Sequence, residues 1–124
     1  MSKRTFAGEI RDLAAKQGWI VSEAGGRQGP ISRDLFGFID WVALDGQFII
    51  ALQITSRSNM ASRVKKILCH CDRAAIRWLT AGGKISVVGF GDEHLAKLVQ
   101  IYLDSEGRLI ASPGALYDLD EHTH

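Results

Sequence analysis

Apolar and polar residues follow two different periods along this chain, and the switches between them mark out its elements. Over Ser2–Gln17, Phe6, Ile10, Leu13 and Ala14 recur at spacings of three and four. That spacing predicts an amphipathic helix, with Ser2 or Thr5 as its cap and Gly18 as its stop. Trp19–Ala24 reads as a short strand, and Gly25–Gly37, with four glycines and one proline, as a loop. Phe38–Leu44 and Gln47–Thr55 read as two strands joined by Asp45-Gly46, a dipeptide suited to a two-residue hairpin turn. The unbroken run Phe48-Ile49-Ile50-Ala51-Leu52 places the second strand centrally, covered on both faces. Met60–Ala81 carries an apolar stripe through Met60, Val64, Ile67, Leu68, Cys71, Ala75 and Trp78. It predicts a helix broken near Cys71 and ended by Gly82-Gly83. Lys84–Phe90 predicts a further strand. After it, Asp92–Lys97 predicts a turn of helix, Leu98–Leu103 and Arg108–Ala111 a hairpin around Ser105-Glu106-Gly107, and Asp118–His124 a frayed end.

The order α-β-β-β-α-β, with extra strands at the end, predicts an α/β fold in which helices pack on a mixed sheet. With 124 residues, the whole of 1–124 is expected to form one domain. The net charge of +1 points to no partner, but its distribution does. Thr55–Arg77 holds six basic residues and one acid, whereas Asp92 to the end holds seven acids and two basic residues. A basic face and an acidic tail follow. No uncharged apolar run is long enough to cross a bilayer, and Met1-Ser2-Lys3-Arg4 leads into an amphipathic stretch, so a cytoplasmic protein without membrane contact is expected. Cys69 and Cys71, two residues apart, are expected to be free thiols. Trp19, Trp41 and Trp78 are expected to serve packing.

Polar residues at positions assigned to the interior carry the candidate chemistry. Glu9 lies three after Phe6 and four before Leu13, on the packing face of the first helix. It either snorkels to solvent or serves a site. With a two-residue turn at Asp45-Gly46, Val42 faces Ile49 and Asp40 faces Ala51. Alternation then sets Asp40, Val42 and Leu44 on one face with Ile49, Ala51, Gln53 and Thr55. Gln53 becomes the diagonal neighbour of Asp40 at roughly 7–8 Å, a separation that one divalent ion can span. An ionised Asp40 there needs a partner or a metal; the alternative is a strand-end aspartate facing water. Asp34, in Arg33-Asp34-Leu35-Phe36-Gly37, is a fourth candidate, or else the acceptor of an Asx turn. Arg63, Lys66, His70, Arg73 and Arg77 form one stripe at helical spacing, either a nucleic-acid face or a solvated one. Arg27, Arg33 and Arg57 add positive charge nearby, able to neutralise phosphates but not to read sequence.

This constellation resembles the PD-(D/E)XK nuclease superfamily and, within it, the archaeal-type Holliday junction resolvases and their small phage and bacterial relatives. The resemblance runs over roughly Thr5–Phe90. It rests on Glu9 in Glu9-Ile10-Arg11-Asp12-Leu13, on Gly18-Trp19-Ile20-Val21, on Gly25-Gly26-Arg27, on Ile39-Asp40-Trp41-Val42-Ala43-Leu44 and on Ala51-Leu52-Gln53-Ile54-Thr55-Ser56. It implies a restriction-endonuclease-like mixed sheet flanked by helices, and a homodimeric, Mg²⁺- or Mn²⁺-dependent endonuclease selective for branched or junction DNA. By the same resemblance, Glu9, Asp40, Gln53 and Thr55 occupy the catalytic positions, and Glu9, Asp40, Gln53 and the main-chain carbonyl of Ile54 hold the metal. Arg27, Arg33, Arg57, Arg63, Lys66, Arg73 and Arg77 would meet DNA.

Three positions depart from the family pattern. Ile39 replaces a proline, Gln53 replaces an acid and Thr55 replaces a lysine. A neutral amide ligates through oxygen without contributing charge, so metal affinity should fall. Lys66, or Lys65 beside it, is the nearest substitute for the lysine. The alternative implied by these departures is a catalytically decayed nuclease fold that binds DNA or a protein. The dimer surface is expected from Leu98, Ile101, Tyr102, Leu109, Ile110, Leu116 and Tyr117, which follow the nuclease core.

Overall fold

The computed structural model describes residues 5–28 and 31–120, and side chains outside 26–33. Helix α1 spans Phe6–Gln17. The Thr5 hydroxyl accepts from the Gly8 N–H at 3.0 Å, satisfying one of the amides that a helix start leaves unpaired. Gly18 ends it at φ +76, a left-handed position that suits glycine. Ser2, the other expected cap, lies outside the described residues.

Strands β1 (Ile20–Glu23), β4 (Trp41–Leu44), β5 (Ile49–Ser56), β6 (Lys84–Phe90), β7 (Leu95–Leu103), β8 (Leu109–Ala111) and β9 (Ala115–Asp118) form one sheet among the described residues. The order is β1-β4-β5-β6-β7-β8, with β9 also paired to β7. Only the β5–β6 pair is parallel, so the sheet is mixed. A separate two-stranded hairpin, β2 (Gly26–Gln28) with β3 (Ile31–Arg33), replaces the loop expected over 25–37. The strands are three residues each, too short for a period-two pattern to declare itself. After a 3₁₀ turn at Arg57–Asn59, the second helical region divides into α2 (Met60–His70) and α3 (Asp72–Thr80), with the expected break at Cys71. The mixed sheet flanked by helices is therefore the fold class that the sequence pattern predicts.

β5 is central and buried over Ile50–Thr55, with alternate side chains entering different layers. Ile50, Leu52 and Ile54 join Ile10 and Leu13 of α1 in one apolar cluster, whereas Ala51 joins Phe38, Met60, Ile67 and Ala75 in the other, beneath α2 and α3. Trp41 is buried, and Trp19 and Trp78 each pack on one cluster. Both cysteines are free. No helix of the described residues is long and apolar enough to cross a membrane.

The C-terminal region departs from expectation in three respects. Asp92–Lys97 forms no helix, because β7 begins at Leu95 and buries Ala96 and Leu98. Asp118 ends strand β9 rather than beginning a frayed tail. The buried His94 ring lies between Asp120 and Asp12 of α1, and the Leu119 N–H donates to the His94 carbonyl at 3.0 Å. Residues 121–124 lie outside the described residues. Finally, Leu98 and Ile101, assigned to a dimer surface, are buried in the chain's own two clusters. Tyr102 and Leu116 remain exposed.

Gly89 allows the start of the second helical region to lie directly on β6. A Cβ there would overlap Met60 Sδ and stand 3.1 Å from the Arg57 backbone Cα. Gly89→Ala is expected to cost about 1–3 kcal/mol, because overpacking must displace backbone as well as the flexible methionine. Leu116→Ala, at an exposed position, should stay within about 0.5 kcal/mol. Urea unfolding of the two variants checks this; equal small losses would mean that Met60 simply swings aside.

Candidate active site

The β4–β5 hairpin sets the geometry. Asp45 Oδ1 accepts from the N–H groups of both Gln47 (2.8 Å) and Phe48 (2.7 Å). These two bonds hold its carboxyl below the usual range and make a four-residue turn out of residues 45–48. Leu44 therefore faces Ile49 and Val42 faces Ala51, a register two residues from the one expected. A shift of two preserves the faces. Continued one step beyond Trp41–Leu52, it brings Asp40 level with Gln53 instead of diagonal to it.

β4 begins only at Trp41, so past that point the edge of β5 has no neighbouring strand on this side. Asp40 occupies the gap. Its own N–H donates to the Leu52 carbonyl at 2.8 Å, and its Oδ2 accepts from the Ile54 N–H at 2.8 Å and from Gln53 Nε2 at 2.7 Å. Within an extended strand the N–H and C=O of one residue point to the same side. The Ile54 carbonyl thus faces the same vacated edge as the Asp40 carboxyl.

Two further groups meet there. Asp34, from the tight turn before β4, hydrogen-bonds to Asp40, and Lys66 of α2 brings its Nζ to 3.8 Å from Asp34 Oδ2. The expected Asx turn at Asp34 is not how its carboxyl is engaged, since the turn closes through its main-chain carbonyl, which accepts from Gly37 N–H at 3.1 Å. The Asp40 carboxyl is pushed up to about 7. Burial is the first cause and the Asp34 hydrogen bond the second, and Asp34's charge adds to them against the opposing Ile54 and Gln53 donors.

Gln53 is 2 % exposed, and its Oε1 meets no hydrogen-bond donor. An orphaned amide oxygen beside a carboxyl and a main-chain carbonyl is a donor set that suits a hard cation. Rotating the amide to present Oε1 to Asp40 would set two acceptors together, an arrangement that a cation between them makes favourable. No group of three or more His, Cys, Asp or Glu side chains able to hold a metal is assembled among the described residues. An ion here would accordingly rely on the amide and the carbonyl as well as on carboxylates.

Glu9 does not snorkel to solvent: it is 7 % exposed, next to Ile10 in the α1 layer. α1 crosses the corner of the sheet near the vacated edge, with Phe6 6.1 Å from the Phe90 ring and Arg11 Cζ 5.6 Å from the Trp41 ring centroid. Glu9 lies between those contacts in the layer opposite α2, on the other face of the sheet from Gln53, so the structure does not gather it with Asp40 and Gln53 as the resemblance implies. Thr55 is buried on the Gln53 face, level with Gly89. Lys65 is exposed, whereas Lys66 is half-buried against Asp34. Arg57 follows β5 directly and crosses the end of β6. Arg63 precedes Lys66 on α2, while Arg73 and Arg77 lie beyond the break, on α3. The side chains of Arg27 and Arg33, on β2 and β3, lie outside the described residues.

No family model and no curated protein matches this chain. Among solved structures, it is similar to Hjc, a Holliday junction resolvase from the archaeal hyperthermophile Archaeoglobus fulgidus. The identity is 17 %, the TM-score is 0.48, and the match covers 75 % of this chain and 72 % of that one.

The raised Asp40 carboxyl has a consequence for stability. The folded chain holds a proton there that the unfolded chain releases near pH 4. The associated stabilisation is complete below about pH 4 and is lost as pH rises to about 7. Asp40→Asn keeps an acceptor for Ile54 and carries no charge. It should raise the melting temperature by about 4 °C or more near pH 8 and change it little near pH 4. Thermal unfolding of both proteins at several pH values checks this, and a wild type that is the more stable near pH 8 would contradict it.

Proposed function

We propose that this chain is a divalent-metal-dependent, structure-selective DNA endonuclease that hydrolyses phosphodiester bonds in branched DNA, as the resemblance to Holliday junction resolvases implies. The observation that carries the reading is the grouping at the vacated edge of β5: Asp40 held by the Ile54 amide and Gln53, with Asp34 and Lys66 alongside. Bringing two carboxyls together in a half-buried corner opposes folding, and such groupings are kept where they serve function.

Asp40, the Gln53 oxygen and the Ile54 carbonyl would hold Mg²⁺ or Mn²⁺, with Asp34 as a second carboxylate; Glu9, in the layer opposite α2, is not gathered with them. Such an ion, when bound, would supply Lewis-acid polarisation of the phosphate and activation of a water. The chain's own groups do the rest. Gln53 and the Ile54 N–H fix the Asp40 carboxyl in one orientation. Lys66 supplies the positive charge that Thr55 does not, offsetting the negative charge that builds on the phosphate. Arg57 and Arg63 flank this corner and steer the DNA backbone toward it. A homodimer would place two such sites on one branched substrate. The second reading, a decayed nuclease fold that only binds DNA or a protein, is favoured by the amide at Gln53 and the hydroxyl at Thr55.

Cleavage of branched, linear and single-stranded DNA with Mg²⁺ or Mn²⁺, against EDTA, separates the two readings. Metal-dependent cutting of branched DNA is expected, abolished in Asp40→Asn with binding retained. Wild-type binding without cutting at any metal concentration would select the binding module. Lys66→Ala should lower turnover by about 100-fold. Lys65→Ala should have little effect, and equal small losses would remove Lys66 from the chemistry. Gln53→Glu should lower the Mn²⁺ needed for half-maximal cutting by about tenfold, since it adds ligand charge, and Gln53→Ala should raise it.

A further inference from the structure

Between α3 and the turn at 34–37 lies a groove of about 540 Å³, lined by Phe36, Arg73, Ala74, Arg77, Trp78 and Ala81. We propose that this groove binds an unpaired base of the DNA strand, held against Phe36 and Trp78, with Arg73 and Arg77 neutralising the flanking phosphates. The proposal rests on the endonuclease reading and deepens it: the substrate class becomes DNA with an unpaired nucleotide beside the cut.

Four observations support it. Phe36 is 62 % exposed and sits at φ +54, a conformation that bulky side chains rarely adopt. Core burial does not offset that strain; the strain instead presents an aromatic ring to solvent. Trp78 is fixed, its Nε1–H donating to the Lys84 carbonyl at 2.9 Å, and its ring lies where a Cβ on Gly83 would be. A pre-set aromatic loses little freedom on stacking. Arg73 and Arg77 stand one helical turn apart on the same wall, linked by Arg77 Nη1–H to the Arg73 carbonyl at 3.2 Å, and among the described residues no acid lines the groove. Finally, Phe36 is two residues from Asp34, and Asp34 touches Asp40. A base in the groove would therefore fix the strand next to the candidate site.

Charge selects this occupant over a second copy of the chain. In a two-fold contact the same patch meets itself, so two copies of Arg73 and Arg77 would enter one interface with no acid among the described lining residues to pair them. Aromatic faces flanked by guanidinium groups instead match a single strand, whose bases offer free faces and whose phosphates are anionic. A paired duplex offers the phosphates but keeps its bases stacked inside.

The test measures fluorescence anisotropy of the full-length chain in EDTA. It compares a duplex with the same duplex carrying a short unpaired flap, with 2-aminopurine in the flap. Wild type should prefer the flapped DNA by about tenfold and change the 2-aminopurine emission on binding. Phe36→Ala should remove that preference, a loss of about tenfold, while leaving duplex binding unchanged. Phe36→Tyr should restore it. Arg77→Gln should weaken both DNAs and reduce the salt slope by about one. Equal binding of the two DNAs by wild type, or equal losses on both in Phe36→Ala, would overturn the groove assignment while leaving the endonuclease reading to its own cleavage assay. So would a wild-type dimer in light scattering that Phe36→Ala converts to monomer without altering DNA preference. Flap preference without metal-dependent cutting would keep the groove and reject the endonuclease. Binding of neither DNA would reject both.

Discussion

At the centre of the sheet, the amide of Ile54 donates to a side chain where a strand carbonyl would ordinarily receive it. An N–H left unpaired there would be penalised by about 1–3 kcal/mol, so some acceptor must stand in for the strand that ends at Trp41. Asp40 is that acceptor. Its position follows from the hairpin register, and the register follows from Asp45 closing a four-residue turn through its own side chain. Once the carboxyl is tied to β5, the Gln53 amide, the Ile54 carbonyl and the Asp34 carboxyl have fixed places around it. The candidate site is thus a by-product of how the sheet satisfies its own backbone.

The same bond creates an electrostatic conflict. A carboxyl accepting from Ile54 and Gln53 is favoured when charged, yet burial and Asp34 favour the proton, and the two effects together leave it near neutrality. Lys66 approaches Asp34, the more outlying of the two acids, at 3.8 Å. The Gln53 oxygen is left without a donor. A cation that meets both Asp40 and Gln53 would relieve both deficits at once. This links the unpaired amide oxygen and the raised carboxyl to the proposed chemistry.

The helices bring basic residues to this corner through close backbone approach. Gly89 and Gly91 let Arg57 and Met60 lie on β6, and α2 then carries Lys66 to Asp34, one turn beyond Arg63. The break at Cys71 splits what the sequence presents as a single basic stripe. Lys66 belongs to the candidate site, and Arg73 and Arg77 belong to the aromatic groove. Charge that a straight helix would spread along one face is divided between two surfaces with different chemistry.

Periodicity over α1, β6 and the broken α2–α3 region was sufficient to place those elements, because each is long and buries one coherent stripe or both faces. Composition likewise located the basic region, and parity alone put Asp40 and Gln53 on one face, since an error of two residues in register leaves parity intact. The sequence could not set the register itself, because the Asp45 side chain competes with the backbone for the turn amides and only the folded hairpin records which wins. It left open which of Lys65 and Lys66 serves the site, because the Lys66–Asp34 contact joins segments more than thirty residues apart in sequence, and it left Asp34 open because only the folded turn at 34–37 turns its carboxyl toward Asp40. Nor could it anticipate β2, β3 and β9, which are too short to carry a pattern and exist because partner strands supply their hydrogen bonds. Local propensity and period are written along the chain, whereas the meeting of Asp34, Asp40, Gln53 and Lys66 exists only once two layers close on the central sheet.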